Sequence, residues 1–386
     1  MQKLAVLAAL GIVAWAADTG APLHFLVTND DTAAALPPST VSFYNVGADG
    51  RLAGPSAVST GANGIAGGYF GIARLLVAAN GQDICVYASN AQSENIAGID
   101  ARTHKPTGLF RGSLLDGKLD RNGIGLAISD NYLYATFSGS GNIGVFRIQP
   151  GCKLRFVADL HAQGLSGGTA EGIAIHGNVM VVTYGDGSIE SFDISRGPPV
   201  SHGDAQYSPG SRDDFNPGAV DITRDGRYAI FGGGSTASAV EVSDISSGKL
   251  TTARMFSLGT AWNSGSVRLS PDERFIYVSN SSGGRVTAAF FDKMTGEVRQ
   301  GCTSEPLEGF YTRFIYVGAV ATELDADSGG LLYVPEYSSE NGSFVGMLRL
   351  TATSIGCTLT EADDSPVAAS PASALLSIGV YPPRPF

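Results

Sequence analysis

Short runs of alternating apolar and polar residues recur along this chain at a nearly regular interval. Each run is rich in aromatic and β-branched residues and ends abruptly in small polar ones, as in "RFIYVSN" from Arg274. This period of two predicts β-strands and argues against a helical solenoid of similar repeat length. Seven copies begin at His24, Asp83, Asn131, Asn178, Arg227, Arg274 and Leu331.

Each copy belongs to a larger unit. A second strand follows it, then a turn that is usually rich in glycine and a further strand, and an apolar strand such as "EGIAIHG" or "GSVRLSPD" precedes most copies. Four antiparallel strands in about 45–50 residues are typical of a β-propeller blade. The sequence therefore predicts an all-β fold, a seven-bladed β-propeller with four antiparallel strands in each blade.

The two ends of the repeat region predict how the ring closes. The first copy follows almost directly on the N-terminal segment and lacks a preceding strand of its own. The segment "ALLSIGVYPP" from Ala374 supplies a spare apolar strand. We expect this C-terminal strand to complete blade one, which removes two exposed sheet edges that would otherwise invite aggregation.

The first residues have the pattern of a secretory signal. Lys3 precedes an apolar run from Leu4 to Val13, and Ala14-Trp15-Ala16 offers small residues at the two positions that a signal peptidase reads. We expect residues 1–17 to be a signal peptide and residues 18–386 to form a single propeller domain of a secreted or periplasmic protein. A buried N-terminal helix is the alternative. No later apolar run is long enough to span a bilayer.

The charge of the chain excludes one class of partner. The 25 basic and 36 acidic residues give a net charge of −11, and no basic block is present. Binding to nucleic acid depends on a basic surface that releases counterions, so nucleic acid is not an expected partner. The acidity is typical of a soluble protein, which we expect to be a monomer.

The four cysteines predict disulfides. An even number in an exported chain favours pairing, and their spacings match no zinc-binding pattern. On the repeat, Cys85 and Cys152 belong to the adjacent blades two and three, and Cys302 and Cys357 belong to blades six and seven. We expect these two pairs, each joining neighbouring blades and stabilising the ring. Free, buried thiols are the alternative.

Two of the repeats carry a resemblance to a known family. The segments "LSPDERFIYVSN" and "DITRDGRYAIFGGG" resemble the strand-turn-strand pattern of lactonase-type propellers, a group that includes bacterial 6-phosphogluconolactonases, fungal carboxymuconate-lactonizing enzymes and YVTN repeat surface proteins. The resemblance extends over roughly residues 24 to 383. It implies either a hydrolase acting on a lactone or related cyclic ester at the channel mouth, or a non-catalytic binding or surface-interaction propeller. The expected partner is accordingly a lactone or sugar-like molecule, or a protein bound at the rim.

Asparagine recurs where the inner strands begin. When these strands are aligned on Ile128, Ile175, Ile222 and Leu269, an asparagine stands six residues earlier in three of the four, at Asn122, Asn216 and Asn263. Their amides can position a sugar or lactone, or supply carbonyl oxygens to Ca²⁺. Turn formation is the structural alternative.

Glu171 is the candidate general base. It stands four residues before Ile175, where blades five and six carry Gly218 and Gly265. A carboxylate at a channel mouth can take a proton from water. Alternatively, Glu171 binds calcium together with Asn216 and Asn263, or forms an ion pair with Arg121.

Other residues of the connecting loops complete the candidate site. Arg121 and Arg313 are predicted to hold a substrate anion or oxyanion, unless they form surface ion pairs. Aromatic residues would form the walls of the site, or merely plug the channel: Tyr69 with its neighbour Phe70, Trp262 and Tyr311. Acidic residues of the connecting loops are further candidates, although Asp186 is most simply a turn residue: Asp30, Asp186, Asp214 and Glu336.

Overall fold

Seven antiparallel sheets form a ring. The computed structural model of the chain describes residues 24–31, 37–47, 49–65, 73–111, 123–208, 216–233, 239–259, 264–280, 283–307, 331–338, 342–353, 356–369 and 374–381. The sheets are the blades of a seven-bladed β-propeller, and the predicted fold is confirmed. Residues 1–23 lie outside the described residues, so the signal peptide stays a prediction.

Blades one to three each consist of four strands. In blade one the C-terminal strand is innermost and pairs with the first strand of the chain, Phe25 opposite Tyr381, so the predicted closure is confirmed. The 3₁₀ turn Ala91–Ser93 connects β5 and β6. The strands are β29 (Ala374–Tyr381), β1 (Phe25–Asp31), β2 (Thr40–Val46) and β3 (Leu52–Ser59) in blade one; β4 (Leu75–Asn80), β5 (Asp83–Asn90), β6 (Asn95–Asp100) and β7 (Lys105–Phe110) in blade two; β8 (Ile124–Ser129), β9 (Tyr132–Phe137), β10 (Asn142–Gln149) and β11 (Lys153–His161) in blade three.

Blades four to six follow the same order, from the axis outward, and in blade seven the described strands begin with the second strand of the repeat, β25. In blades four and seven, two short strands share the outer edge and pair with the same third strand. The strands are β12 (Ala170–His176), β13 (Val179–Tyr184), β14 (Ser188–Asp193), β15 (Val200–Ser201) and β16 (Gln206–Tyr207) in blade four; β17 (Pro217–Ile222), β18 (Tyr228–Gly233), β19 (Ala239–Ser246) and β20 (Lys249–Ser257) in blade five; β21 (Ser264–Leu269), β22 (Phe275–Asn280), β23 (Arg285–Asp292) and β24 (Glu297–Thr303) in blade six; β25 (Leu331–Ser338), β26 (Gly342–Ala352), β27 (Cys357–Glu361) and β28 (Val367–Ala368) in blade seven.

The hydrophobic core is divided into seven clusters, one at each junction between neighbouring blades. At the junction of blades seven and one, Leu26 and Tyr44 pack with Tyr333 and Val345. The other six clusters lie at the remaining junctions in turn. Each sheet therefore buries both faces against its neighbours, which a single blade cannot do alone.

Two disulfides link neighbouring blades. Cys85 bonds Cys152 between blades two and three, and Cys302 bonds Cys357 between blades six and seven. The predicted pairing is confirmed. The bridges close chain separations of 67 and 55 residues, for which the chain-entropy argument predicts a stabilisation of several kcal/mol each, on the order of 4.

Candidate functional site

At one face of the ring, the inner strands begin and the second strands end. Glu171 is the second residue of the inner strand β12, and Asn216 directly precedes the inner strand β17. Arg74 directly precedes β4, and Asp31 ends the second strand β1. These four residues are thus brought to the same end of the central channel, in blades four, five, two and one.

The inner strand that carries Glu171 contains a β-bulge. Its pairing with β13 shifts register between Ala170 and Ile173, so that Glu171 and Gly172 form the irregular segment. The inner strands of blades five and six show the same irregularity. Because a bulge turns side chains away from the regular alternation, it can aim the side chain of residue 171 out of the sheet.

Two threonine hydroxyls hold the bulged peptide of blade four. Thr136 in blade three donates to the carbonyl oxygen of Glu171 at 2.5 Å, and the N–H of Gly172 donates to the hydroxyl of Thr183 at 2.9 Å. The carbonyl and the N–H belong to the same peptide group, which is therefore fixed from both sides. Gly172 fits because a Cβ there would lie 2.4 Å from the carbonyl oxygen of Gly218.

The bulged peptides of blades five and six are held by fewer hydroxyl hydrogen bonds. The carbonyl of Gly218 receives only a long bond from Thr183, 3.5 Å, and Gly232 occupies the position of the hydroxyl in blade five. In blade six, the N–H of Ser266 donates to Ser279 at 2.7 Å. Among the described bulges, the one with the carboxylate is the one that hydroxyls hold on both sides.

The carboxylate of Glu171 lies against the turn that ends the second strand of its own blade. A Cβ at Gly185 would be 2.7 Å from Oε1 of Glu171, so glycine at this position leaves room for the carboxylate. The glutamate is 1% exposed. A buried carboxylate on a fixed backbone is a geometry suited to proton transfer, because the group does not have to be reoriented for reaction.

A buried ion pair lies at the same end of the channel and was missed in the sequence. Nη1 of Arg74 donates to Oδ2 of Asp31 at 3.2 Å, and the two side chains are 0% and 1% exposed. Asp31 also accepts the N–H of Ile65 at 3.3 Å. Burial raises the pKa of Asp31, and the guanidinium of Arg74 acts against that rise.

Two glycines leave space for this ion pair. A Cβ at Gly64 would lie 1.0 Å from Oδ1 of Asp31, and one at Gly123 would lie 2.8 Å from Cζ of Arg74. The backbone N–H of Arg74 donates to the hydroxyl of Ser377 on β29. The arginine thus spans blades one, two and three. A single Arg before an apolar strand gives no such signal in the sequence, because its partner is 43 residues away in another blade.

The side chain of Asp30 lies inside blade one and is not part of a ligand-binding loop at the channel mouth. Its carboxylate accepts hydroxyl hydrogen bonds from Thr28, Thr40 and Ser42 at 2.9, 2.7 and 2.5 Å. Burial raises the pKa of Asp30 to about 6, although these three bonds oppose the change. The bonds describe a structural acid that ties the second strand to the third.

Glu336 occupies the matching position in blade seven. A Cβ at Gly346 would lie 1.8 Å from its Oε1, so the side chain extends over the third strand of its own blade. Blades four and five place their buried acids on the third strand instead: Tyr184 donates to Glu190 at 2.6 Å, and Ser208 and Ser243 donate to Glu241. Asp30 and Glu336 therefore belong to a set of carboxylates inside blades.

Asp186 is a turn residue, as its sequence context suggests. Its carboxylate accepts the N–H groups of Ser166, Gly168 and Ser188 at 2.6, 3.2 and 3.0 Å, and the hydroxyl of Ser188 at 2.6 Å. Partial burial acts to raise its pKa, but these hydrogen bonds outweigh it and the pKa is lowered. Asp186 therefore orders the connection between blades three and four.

Asn216 is half-buried, and its backbone carbonyl lies against Gly233, where a Cβ would be 1.8 Å from the oxygen. Within the described parts of the chain, no three His, Cys, Asp or Glu side chains cluster as metal ligands, and no helix is long and apolar enough to cross a membrane. The other candidate residues lie outside the described residues, and their placement stays a prediction: Tyr69, Phe70, Arg121, Asn122, Asp214, Trp262, Asn263, Tyr311 and Arg313.

Solved structures with the same fold include proteins whose names indicate lactone chemistry. The chain is similar to a protein described as a putative 6-phosphogluconolactonase from Bacteroides uniformis, at 12% identity over 92% of this chain and 99% of that one, with a TM-score of 0.68. It is also similar to the periplasmic gluconolactonase PpgL of Pseudomonas aeruginosa, at 15% identity over 93% and 99% of the two chains, with a TM-score of 0.67.

A third similarity involves a different chemistry. Hydrazine synthase of Kuenenia stuttgartiensis matches 73% of this chain and 77% of its own, at 21% identity and a TM-score of 0.52. No protein-family profile matches the sequence, and no curated protein matches it. At these identities the structural matches establish the fold alone: the chain is a seven-bladed β-propeller.

Proposed function

We propose that this chain is an exported lactonase-like propeller that hydrolyses a lactone or related cyclic ester at the channel mouth. The observation that carries the proposal is Glu171, a buried carboxylate on an inner-strand bulge whose peptide group two threonines hold. Structural neighbours named as lactonases support it. The two disulfides favour an oxidising compartment, which supports export.

In the proposed reaction, Glu171 accepts a proton from water as the water oxygen bonds to the lactone carbonyl carbon. The carbonyl oxygen becomes an oxyanion, which Arg121 or Arg313 would stabilise. The ring C–O bond then breaks, and the proton passes from Glu171 to the departing alkoxide. Asn122, Asn216 and Asn263 would position the ring, and Tyr69, Trp262 and Tyr311 would form its walls.

A lactone panel tests this proposal directly. Each turnover releases a carboxylic acid, so proton release at constant pH measures the rate on five- and six-membered lactones, including sugar lactones. We expect turnover by the wild type and a decrease in kcat of about 10²–10⁴-fold in Glu171→Gln, which keeps the side-chain shape and cannot accept the proton.

Glu336→Gln is the matched control, because it neutralises a buried glutamate inside a blade. We expect its kcat to equal that of the wild type. Equal turnover by Glu171→Gln and the wild type would remove Glu171 from the mechanism. A parallel assay with a chelator tests the calcium alternative, in which Glu171, Asn216 and Asn263 would bind Ca²⁺ and activity would be lost on metal removal.

An exposed apolar rim favours the second candidate function, a non-catalytic interaction propeller. Several of the exposed large apolar side chains lie on outer strands of three consecutive blades: Leu109, Val157, Val200 and Tyr207. A contiguous exposed apolar patch marks a protein-binding surface, and we propose that these side chains belong to one. Absence of turnover on every lactone would favour this function.

A further inference from the structure

A cavity of about 280 Å³ lies between blades seven and one, on the face of the ring opposite to Glu171. Leu331 and Met347, which belong to the buried cluster of this junction, form the apolar part of its lining. The turn between β2 and β3 forms another wall and is held to blade seven, because the hydroxyl of Tyr333 donates to the carbonyl of Gly50 at 2.6 Å. Small-molecule sites typically start at roughly 300 Å³, so a ligand of this cavity would be small.

Arg349 lines the cavity and has no carboxylate partner. It is half-buried on β26, where it pairs with Leu331 on one side and Thr360 on the other. In the described part of the chain, its guanidinium makes neither an ion pair nor a hydrogen bond. A guanidinium offers a fork of N–H donors that matches a carboxylate. The other described arginines that are not exposed each face a carboxylate: Arg74, Arg254, Arg268 and Arg285.

The cavity also offers a carboxylate that no cation neutralises. Arg51 bonds two of the acidic residues of the lining, Asp49 at 3.3 Å and Asp364 at 3.0 Å. Asp363 is exposed, and among the described residues it makes neither an ion pair nor a hydrogen bond. Arg349 and Asp363 therefore line one cavity as opposite charges that do not neutralise each other.

The balance of charge in the lining limits the kind of ligand. Two arginines and four acidic residues line the cavity. The excess of carboxylates would repel a ligand that carries only negative charge, and a ligand that carries only positive charge would leave Arg349 without a partner. A small molecule that carries one charge of each sign satisfies both groups.

We propose that this cavity binds a free α-amino acid with an apolar side chain. At neutral pH an α-amino acid carries a carboxylate and an ammonium group on the same carbon atom. The carboxylate accepts hydrogen bonds from Arg349, the ammonium group donates to Asp363, and the side chain lies against Leu331 and Met347. The site is at the face opposite to the channel mouth, so binding here does not depend on the proposed lactone hydrolysis.

Calorimetry at pH 7 with the wild-type protein tests the proposal on alanine, valine, leucine, methionine and phenylalanine. We expect at least one of them to bind with a dissociation constant of about 1 mM or less. The tightest binder is then compared with the amine that lacks its carboxylate and the acid that lacks its ammonium group; for leucine these are isoamylamine and isocaproic acid. Each analogue should bind at least about tenfold more weakly, because one charge of the cavity stays unpaired. Absence of binding by all five amino acids, or equal binding of either analogue, would overturn the proposal.

Two variants test the contacts separately. Arg349→Gln should weaken binding of the amino acid at least about tenfold and leave its affinity for the amine unchanged, so that the two ligands bind equally. Asp363→Asn should have the converse effect, so that the amino acid binds no more tightly than the acid. Arg299→Gln is the matched control, because it removes an exposed arginine from the outer strand of blade six and should not affect binding. Thermal unfolding shows whether each variant is folded, and wild-type affinity in Arg349→Gln would contradict the proposal.

Discussion

Glu171 and Glu336 are two buried glutamates whose carboxylates both lie over a glycine, and they differ in where the fold places them. Glu336 is on a second strand, and Gly346 on the adjacent third strand of the same blade makes room for it. Glu171 is on an inner strand, and its space is provided by Gly185 at the channel-side turn. Burial alone therefore does not identify a functional acid in this ring.

The backbone separates the two glutamates more clearly than burial does. Glu336 lies in regular pairing with Phe344, whereas Glu171 lies in a bulge with both polar atoms of its following peptide bonded to threonines. A bulge interrupts the regular hydrogen bonding of a sheet, and bulges occur more often next to functional sites. The bulge of blade four also carries a carboxylate, which makes Glu171 the better candidate for a functional residue.

The largest expected effect concerns an acid inside a blade, Glu241. Burial raises its pKa from 4.5 to about 7, although hydrogen bonds from Ser208 and Ser243 oppose the rise. Its contribution to stability is therefore fully present below pH 4.5 and is lost as the pH rises through 7. The free energy of unfolding of the wild type relative to Glu241→Gln should fall by about 3 kcal/mol between pH 4 and pH 8.

Urea unfolding of both proteins across this pH range measures the difference, from which the contributions of all other groups cancel. Glu305→Gln is the control, because the Glu305 side chain is 92% exposed. A difference between wild type and Glu241→Gln that stays constant with pH would show that Glu241 has the same pKa in the folded and unfolded states. The comparison between structural and functional acids would then need another basis.

The ring itself could be predicted from the sequence because each blade repeats one pattern. Period-two alternation identifies the strands, and the spare apolar strand at Ala374 predicts the closure that β29 provides. Assigning Cys85 and Cys152 to adjacent blades was sufficient to predict their bond. These features follow from local pattern and blade order, which a single sequence contains.

The radial and axial positions of polar residues could not be predicted in the same way. Alternation indicates which face a side chain takes, but not whether a carboxylate such as Asp30 bonds to hydroxyls within its blade. The Arg74–Asp31 pair depends on strands in different blades and on the space left by Gly64 and Gly123. Contacts of this kind arise only when the ring is assembled.

Adding one methyl group at each glycine compares the two glutamates directly. In Gly346→Ala the new Cβ would lie 1.8 Å from Glu336 Oε1, and we expect overpacking to lower the free energy of unfolding by about 1–3 kcal/mol with kcat unchanged. In Gly185→Ala the Cβ would lie 2.7 Å from Glu171 Oε1 and displace the carboxylate.

For Gly185→Ala we expect a smaller loss of stability together with a decrease in kcat of about ten- to a hundredfold, because a displaced base no longer reaches its proton. Lactone turnover and thermal unfolding of both variants provide the measurements. If both variants retained wild-type kcat, the position of the Glu171 carboxylate would have no bearing on the reaction.

The smallest expected effect comes from the hydroxyl that holds the Glu171 carbonyl. Thr136→Val keeps the side-chain shape and leaves the carbonyl of Glu171 and the N–H of Gly125 without their hydroxyl partner. Ser279→Ala removes a hydroxyl that holds the bulge of blade six, where it accepts the N–H of Ser266 and Gly265 stands in place of the glutamate. Each variant should lose about 1–2 kcal/mol of unfolding free energy, the cost of an unsatisfied buried polar group.

Only Thr136→Val should also lower kcat and shift the pH profile of turnover, since only in blade four does the held peptide carry the proposed base. Thr136→Ser restores the hydroxyl and should restore both properties, which a purely structural role would not require. Equal effects of Thr136→Val and Ser279→Ala on kcat would mean that the threonine pair stabilises the ring without orienting Glu171. In that case the bulge of blade four would be structural like that of blade six, and Glu171 would lose the backbone argument that distinguishes it from Glu336.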